Sequence, residues 1–309
     1  MAIASLQPRH ALGTGIALCG EGVSHAGQWL RNLGEDLRRH GAVRHGELST
    51  NATFPGGTLP GSPNTALFSP VTLAGWLWGE GLVLPGSVED SIELVRPFNL
   101  RRGNRLLHLG AGLGTLSSAI AHETGCKVTG FERDPDLLAQ AETASHHHRR
   151  VVLALLGADE PKPSGPRWDH CLARFALHGA PNRRKLLLNT KTALLPGGHI
   201  SMVEYTAARS TPGLAAWLAR QPGHGDIWTV ELWRKAFASV GFDLRIEEDV
   251  SPRHRAAILS GWHRLMTGGN LAGVPRRQLA PMVQAAERWM TEVMLVQEGT
   301  LQIRRFYAT

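Results

Sequence analysis

Residues Arg105–Asp136 read RLLHLGAGLGTLSSAIAHETGCKVTGFERDPD, and this stretch indicates half of a βαβ unit. The apolar run Arg105–Leu109 predicts a short buried strand, and Thr115–Thr124 has apolar residues at helical spacing. Between them, three glycines make a turn in which missing side chains let backbone N–H groups approach a ligand closely. Cys126–Phe131 predicts the second strand. Glu132 follows it, about 20 residues beyond the first glycine, where a carboxylate can accept hydrogen bonds from both hydroxyls of a ribose.

The details of the glycine turn distinguish between three interpretations. Enzymes that bind NAD and enzymes that bind S-adenosylmethionine (SAM) share a glycine turn with a downstream acid. The dinucleotide fingerprint wants Gly or Ala at the sixth position of the turn, but Thr115 stands there. The spacing G-x-G-x-G, preceded by LLHL and followed by LSSAIA, resembles motif I of class I SAM-dependent methyltransferases. We therefore expect a SAM site, with a dinucleotide site and a glycine turn without a ligand as the alternatives.

This resemblance implies an α/β fold with a Rossmann-like, seven-stranded methyltransferase sheet, a helical N-terminal arm and a helical cap. It also implies SAM as the cofactor. Asp159 follows the predicted strand Val151–Leu155, where the family commonly has an acid that contacts the adenine; the alternative is an acid on a surface loop. The residues implied to hold the cofactor are Gly110, Ala111, Gly112, Gly114, Glu132, Arg133, Asp159, Arg174, Leu84, Pro85 and Gly86.

The segment before the turn carries a finer resemblance. Residues Trp78–Val95 read WGEGLVLPGSVEDSIELV, which is similar to the stretch before motif I in phosphoethanolamine N-methyltransferases and related small-molecule methyltransferases. There, a glycine-rich stretch closes over SAM, so the resemblance puts Trp78 and Leu84–Gly86 against the methionine end of the cofactor, and Trp78 is also a candidate substrate contact. Ser87 replaces the second glycine of that pattern. Trp76–Gly86 is too aromatic and glycine-rich to predict an ordinary helix.

The end of the predicted fourth strand, Trp168–Ala173, should face the reacting methyl group, because α/β sheets bind ligands at the carboxyl ends of their strands. The residues that follow resemble the run S-R-D-A-I-L-H of phosphoethanolamine methyltransferases. Arg174 and His178 match it, whereas Phe175 stands at the position of its aspartate. An aromatic wall there suits an apolar acceptor or a cation held by ring faces.

His178 is the candidate general base, because imidazole titrates near neutral pH and this position faces the sulfonium in the implied topology; a structural histidine is the alternative. Glu80 is the second catalytic candidate, with Glu204 and Tyr205 of lower rank. Phe175, Trp78 and Tyr205 are the candidate substrate contacts.

We expect methyl transfer from SAM to a small molecule through a nitrogen, oxygen or carbon nucleophile. A nucleic-acid methyltransferase is the first alternative, and the charge of +7 permits it. However, ARFALHGA lacks the N/D-P-P-Y/F motif of amino methyltransferases, and no RNA-binding module is recognisable, so a nucleic-acid partner is disfavoured. A non-catalytic SAM-binding scaffold protein is the second alternative.

Composition changes along the chain suggest how it is divided. Residues 51–65 are rich in Gly, Pro, Ser and Thr, so we expect an arm and linker over residues 1–65 and the methyltransferase domain over residues 66–309. Cap insertions are expected at about 206–228 and 252–296, as a substrate lid or as extra packing. A helix with Trp29 on its apolar face is expected in the arm.

The remaining composition is that of an ordinary soluble protein, with 42% hydrophobic and 19% charged residues. Arginines are scattered along the chain, which favours general solubility over a basic tail. The three cysteines have no metal-binding spacing, and the run His146–His148 is expected to be a solvated loop, so no metal is expected. With no apolar run long enough to cross a bilayer, we expect a cytoplasmic protein. The sequence does not indicate an oligomeric state.

Overall fold

The computed structural model describes residues 69–143, 149–157, 161, 167–221, 226–267 and 276–309. The strands within them are β1 (Arg105–Leu109), β2 (Lys127–Glu132), β3 (Val151–Leu155), β4 (Trp168–Arg174), β5 (Leu194–Ala207), β6 (Leu244–Asp249) and β7 (Leu301–Ala308). The α-helices within them are α1 (Pro70–Trp78), α2 (Val88–Ile92), α3 (Thr115–Thr124), α4 (Pro135–Thr143), α5 (Arg183–Ala193), α6 (Pro212–Leu218), α7 (Val230–Ser239), α8 (Ser251–Thr267) and α9 (Arg276–Gln297).

The strands form one seven-stranded sheet in the order β3-β2-β1-β4-β5-β7-β6. The first five strands pair in parallel, and β7 is antiparallel to both β5 and β6. Strand order reverses beside β1, so the carboxyl ends of β1 and β4 border the crevice where doubly wound sheets bind ligands. The predicted Rossmann-like sheet of seven strands is confirmed.

Local signals in the sequence explain where the elements begin. Ser69, Asn182, Thr211 and Thr229 are the N-caps of four helices, and the side chain of each accepts a hydrogen bond from a backbone N–H of the first turn. The central strands are apolar on both faces because helices cover both sides of the sheet. Two clusters of buried side chains result, one around Trp233 and Phe237 and the other around Ile120 and Leu301.

Strand β1, helix α3 and strand β3 have the predicted bounds, whereas two segments differ from expectation. Helix α1 continues through Trp76 to Trp78, because Ser69 caps it and Leu77 and Trp78 are buried. Residues Leu194–Gly198 read LLPGG, a run that favours a turn, yet they belong to β5: Leu194 pairs with Trp168, and a bulge separates this pair from the main ladder.

Contacts divide the chain into two compact units. The larger comprises Ser69–Leu265 and Arg288–Thr309, and it contains the whole sheet. The other comprises Met1–Phe68 with Met266–Glu287. The expected arm helix, the linker and the histidine run at 146–148 lie outside the described residues. Among the described helices, none combines the length and the apolar character needed to span a bilayer.

Candidate active site at the carboxyl edge of the sheet

The glycine turn between β1 and α3 has a backbone that side chains would disrupt. Gly110 has φ 77°, and its N–H donates to the carbonyl oxygen of Phe131 at 2.9 Å. A Cβ atom on Gly110 would collide with the carbonyl oxygen of Arg174. Gly112 has φ 55°, and a Cβ atom there would lie 2.9 Å from Cγ2 of Val83. Only glycine therefore fits at these two positions, because φ is left-handed and a neighbouring atom lies too close for a side chain.

Glu132 ends β2 beside this turn, and its carboxylate faces backbone donors. Oε2 accepts a hydrogen bond from the N–H of Gly112 at 2.7 Å. Oε1 accepts from the N–H groups of Arg133 at 2.7 Å and Asp134 at 3.0 Å. These contacts hold the carboxylate at the tip of the turn. Each carboxylate oxygen can accept more than one hydrogen bond, so the group can also receive hydroxyl donors of a ligand.

The loop from 79 to 87 lies over the glycine turn. Gly81 has φ 75°, and a Cβ atom on it would overlap the hydroxyl of Thr115, the first residue of α3. Val83 approaches Gly112 in the same way. The loop thus packs directly against the turn and the N-terminus of α3. Helix N-termini and free backbone N–H groups favour polar or anionic ligand groups.

A cleft opens beside the turn at the end of β4. It contains about 570 Å³ of empty space, counting its open mouth, and its lining includes Pro85, Gly86, Arg174, Phe175, Arg253, His254 and Arg305. Phe175 has φ 47°, a left-handed conformation that is rare for a bulky residue and that occurs at functional sites. Its ring lies 4.6 Å from that of Tyr205 and 5.4 Å from that of His254, between ring centroids.

Charge in this cleft is dominated by guanidinium groups. Burial lowers the pKa of Arg174 to about 10, and the nearby charge of Asp90 acts in the opposite direction. Arg174 therefore stays cationic at neutral pH. His108 on β1 donates or accepts at Nδ1 with the hydroxyl of Ser117 at 2.8 Å, and burial together with Arg174 lowers its pKa to about 3. His108 is thus neutral and adds no positive charge.

His178 and Glu204 form a pair at the ends of β4 and β5. Nδ1 of His178 lies 2.7 Å from Oε1 of Glu204, a carboxylate with no exposed surface. The carboxylate also accepts from the backbone N–H groups of Leu177 at 2.9 Å, His178 at 3.1 Å and Tyr205 at 2.9 Å. Burial alone would raise the pKa of Glu204, but His178 and these donors lower it overall. The pair orients the imidazole, which is the arrangement that prepares a histidine for acid–base work.

A second buried pair joins α8, α9 and β5. Nε2 of His254 lies 2.7 Å from Oε1 of Glu292, and the hydroxyl of Tyr205 donates to the same oxygen at 3.1 Å. All three side chains are nearly excluded from solvent. Burial and the neighbouring Glu292 carboxylate raise the pKa of Tyr205 well above its ordinary value. Tyr205 is therefore a neutral hydrogen-bond donor to Glu292, and its ring packs against Phe175.

The structure brings most of the proposed residues to one edge of the sheet. The glycines, Ala111 and Glu132 form the turn region, and Arg174, Phe175, His178 and Tyr205 lie at the ends of β4 and β5. Pro85 is buried and Leu84 is half-buried in the loop above the turn.

Three of the proposed residues are placed differently or are not described. Trp78 is buried against Trp289, with ring centroids 4.9 Å apart, so its indole packs between helices. Glu80 is exposed on the loop after α1. Asp159 lies outside the described residues.

Sequence reasoning missed His254, Glu292, Arg253 and Arg305. His254 and Glu292 stand 38 residues apart in the segment 252–296, which was interpreted only as a cap insertion. The one available signal was polar: a histidine within the run SPRHR and a glutamate within an otherwise apolar helical stretch. In the part of the chain that the structure describes, no group of three His, Cys, Asp or Glu side chains could hold a metal ion.

Comparisons with known proteins agree with this geometry. Residues 107–200 match the family model described as a methyltransferase domain. The chain is 25% identical over 133 residues to phosphoethanolamine N-methyltransferase 2 of Caenorhabditis elegans, covering 42% of this chain and 30% of that protein. It is 29% identical over 107 residues to demethylmenaquinone methyltransferase of Tropheryma whipplei, covering 35% and 44% respectively. The chain thus spans less than half the length of these curated relatives.

A solved structure has the same fold. Phosphoethanolamine N-methyltransferase 2 of Haemonchus contortus, in complex with phosphomonomethylethanolamine and S-adenosylhomocysteine, superposes with a TM-score of 0.69 at 20% identity. The alignment covers 77% of this chain and 56% of that one. Residues 107–200 thus match a methyltransferase domain, and the described part of the chain shares the seven-stranded, Rossmann-like fold of class I methyltransferases.

Proposed function

We propose that this protein transfers a methyl group from SAM to a small-molecule acceptor bound in the cleft at the ends of β4 and β5. The observation that carries the proposal is the combination of the glycine turn with the Glu132 carboxylate on one side and the cleft beside Phe175 on the other. Donor and acceptor would meet at the carboxyl edge of the sheet, where the carboxyl ends of β1 and β4 lie side by side.

The residues of the turn fit SAM. Glu132 has the position and charge to accept hydrogen bonds from the ribose hydroxyls, and the loop 79–87 packs closely against the turn. SAM supplies an activated methyl group as a sulfonium, so the protein needs to align the acceptor nucleophile and remove a proton where one is released. His178, oriented by Glu204, is the proposed base for that proton.

The cleft supports a small molecule rather than a nucleic acid. It is enclosed by α2, α8 and the sheet, and it lies beside aromatic rings in a partly buried space. Three arginines in its lining disfavour the cationic acceptor that the Phe175 ring alone would permit, because like charges repel at short range.

Methyl transfer from tritiated SAM tests the proposed function. The purified protein is incubated with a metabolite extract and, separately, with an RNA fraction. We expect label in a small-molecule product. Label in RNA would favour a nucleic-acid methyltransferase, and tight SAM binding without label in either fraction would favour a non-catalytic SAM-binding protein.

Replacing Glu132 with alanine should weaken SAM binding by about 1.5–3 kcal/mol, because charge-assisted hydrogen bonds to the ribose are lost. Titration calorimetry with SAM measures the effect. Glu123→Ala is the matched control, since Glu123 is an exposed acid on α3. Equal affinities of wild type and Glu132→Ala would remove Glu132 from the cofactor site.

Replacing Phe175 with aspartate should weaken binding of an acceptor whose apolar part contacts this wall. The expected loss is about 2–4 kcal/mol, because the carboxylate must lose hydration when the acceptor binds. SAM affinity should change little. Phe175→Asn is the control, because Asn has the same shape without the charge and both residues tolerate a positive φ. If the two variants raise the KM for the acceptor equally, the lost ring and not the charge is responsible.

A further inference from the structure

Two arginines lie in one row across the sheet at the floor of the cleft. In the pairing register, Arg174 on β4 stands opposite Val203 on β5, and Val203 stands opposite Arg305 on β7. Adjacent strands are about 4.8 Å apart, so the two arginine backbones are separated by roughly 10 Å. Long side chains from these positions can reach one ligand group between them. Both arginines line the cleft.

Neither guanidinium is fully satisfied by the protein. Nε of Arg174 and Nε of Arg305 are both buried, and neither has a hydrogen-bond partner among the described residues. Arg305 donates from Nη1 to Glu248 at 3.4 Å, which is a long and weak contact. The carboxyl group of Asp90 acts on Arg174 through its charge. Buried donors without acceptors are costly, so their presence in a cleft points to a ligand that supplies acceptors.

The mouth of the cleft adds a third guanidinium. Arg253 is exposed on the first turn of α8 and belongs to the same lining. Beside it, His254 is held at Nε2 by Glu292, so the other ring nitrogen is the one that can meet a ligand. Asp90 is the one carboxylate among the lining residues described, so cationic groups outnumber it.

We propose that the cleft is a subsite for an oxyanion, a carboxylate or phosphate group, carried by the methyl acceptor. Arg174 and Arg305 hold the anion from two strands, and Arg253 attracts it at the mouth. The planar guanidinium groups suit the two-oxygen face of a carboxylate or phosphate. This substrate class rests on the proposed function, since it places an acidic acceptor beside the SAM turn.

The carboxylate of SAM itself is the competing occupant, and the sheet distinguishes the two. Arg174 lies on β4, directly beside β1 and the glycine turn. Arg305 lies two strands farther away, on β7. Arg174 can therefore bind either the carboxylate of SAM or the anionic group of the acceptor. Substitutions of Arg305 and Arg253 should affect only binding of the acceptor. The test relies on these two residues.

The first arm of the test measures anion binding directly. Inorganic phosphate and acetate are titrated by calorimetry into the protein saturated with S-adenosylhomocysteine, with chloride keeping the ionic strength constant. We expect Arg305→Met to weaken binding of the better anion about tenfold or more and Arg253→Ala to weaken it severalfold. Affinity for S-adenosylhomocysteine should stay within about twofold of the wild-type value. Arg245→Met is the matched control, because Arg245 is exposed on the neighbouring edge strand β6 and pairs with Asp243.

The second arm separates the labelled methylation products on an anion-exchange resin. The subsite is supported if the resin retains labelled product made by the wild type and retains less labelled product made by Arg305→Met. Label in only neutral or cationic products overturns it while leaving methyl transfer intact. Absence of phosphate and acetate binding to wild type, or equal binding by wild type and Arg305→Met, also overturns it. Anion binding that depends on Arg305 without any labelled product supports the subsite but contradicts the proposed function. If Arg305→Met does not fold, Arg253→Ala provides the comparison, because Arg253 is exposed on α8 and is not part of β7.

Discussion

Replacing His178 with alanine should lower the rate of methyl transfer by about 10²–10⁴-fold, which is the range that a general base contributes. Glu204 lies 2.7 Å from Nδ1, so the carboxylate favours a proton on that nitrogen and leaves the lone pair on Nε2. The neutral ring can then take a proton from the acceptor. The rate should be measured at saturating SAM across pH 6–9, because removal of a general base changes the pH profile as well as the rate.

The comparison needs a control for the loss of an imidazole in general. His122→Ala removes an exposed histidine from the last turn of α3 and should leave the rate unchanged. Affinity for S-adenosylhomocysteine should be equal in both variants. A wild-type rate and pH profile in His178→Ala would make the histidine structural, and the enzyme would then act by alignment of its substrates alone.

Replacing Glu204 with glutamine should lower the free energy of unfolding by about 3–5 kcal/mol, although the two side chains have the same shape. The carboxylate has four partners, which are three backbone N–H donors and the imidazole ring of His178. An amide has one acceptor oxygen and two N–H donors, so its nitrogen must face at least one of these donors. The loss is large because the site has no exposed surface and water cannot replace the missing acceptor.

Urea unfolding measures this difference, with Glu231→Gln as the control. Glu231 is exposed and pairs with Arg234 on the surface, so its substitution should cost less than about 1 kcal/mol. Equal midpoints for the two variants would contradict the role given to Glu204 in joining β5 to the end of β4.

The pH dependence of this stability follows from the direction of the pKa shift. The pKa of Glu204 is lower in the folded protein than in the unfolded chain, so folding is favoured by the ionised form. This contribution is fully present above the unfolded pKa of about 4.3 and is lost as pH falls through the folded pKa. The difference in the free energy of unfolding between wild type and Glu204→Gln should therefore be constant near neutral pH and shrink below about pH 4.3. If this difference in unfolding free energy grew on acidification, it would contradict a lowered pKa of Glu204 in the folded protein.

The turn region could be predicted because its determinants are close together in the chain. Gly110, Gly112 and Glu132 all fall within one strand–helix–strand unit, whose local pattern specifies both the turn and the end of the next strand. The end of β4 was predicted for a similar reason: α/β sheets bind ligands at the carboxyl ends of their strands, so His178 was expected near the site. The role of Glu204 was underestimated, since its burial depends on the packing of several elements.

Other features were decided by the tertiary structure. Arg174 and Arg305 share a row because of the register of β4, β5 and β7, and register cannot be read from residues separated by most of the domain. His254 on α8 and Glu292 on α9 meet only in the folded chain, and each helix alone predicts only an apolar stripe. The resemblance to phosphoethanolamine methyltransferases implied a ligand contact for Trp78, but this side chain is buried against Trp289 between helices. The sequence by itself thus determined the glycine turn and its strand–helix–strand unit, because local spacing encodes them, and the resemblance to class I methyltransferases implied the seven-stranded sheet. The charges of the cleft were decided by long-range pairing, since side chains distant in the chain converge only when the sheet and its covering helices are assembled.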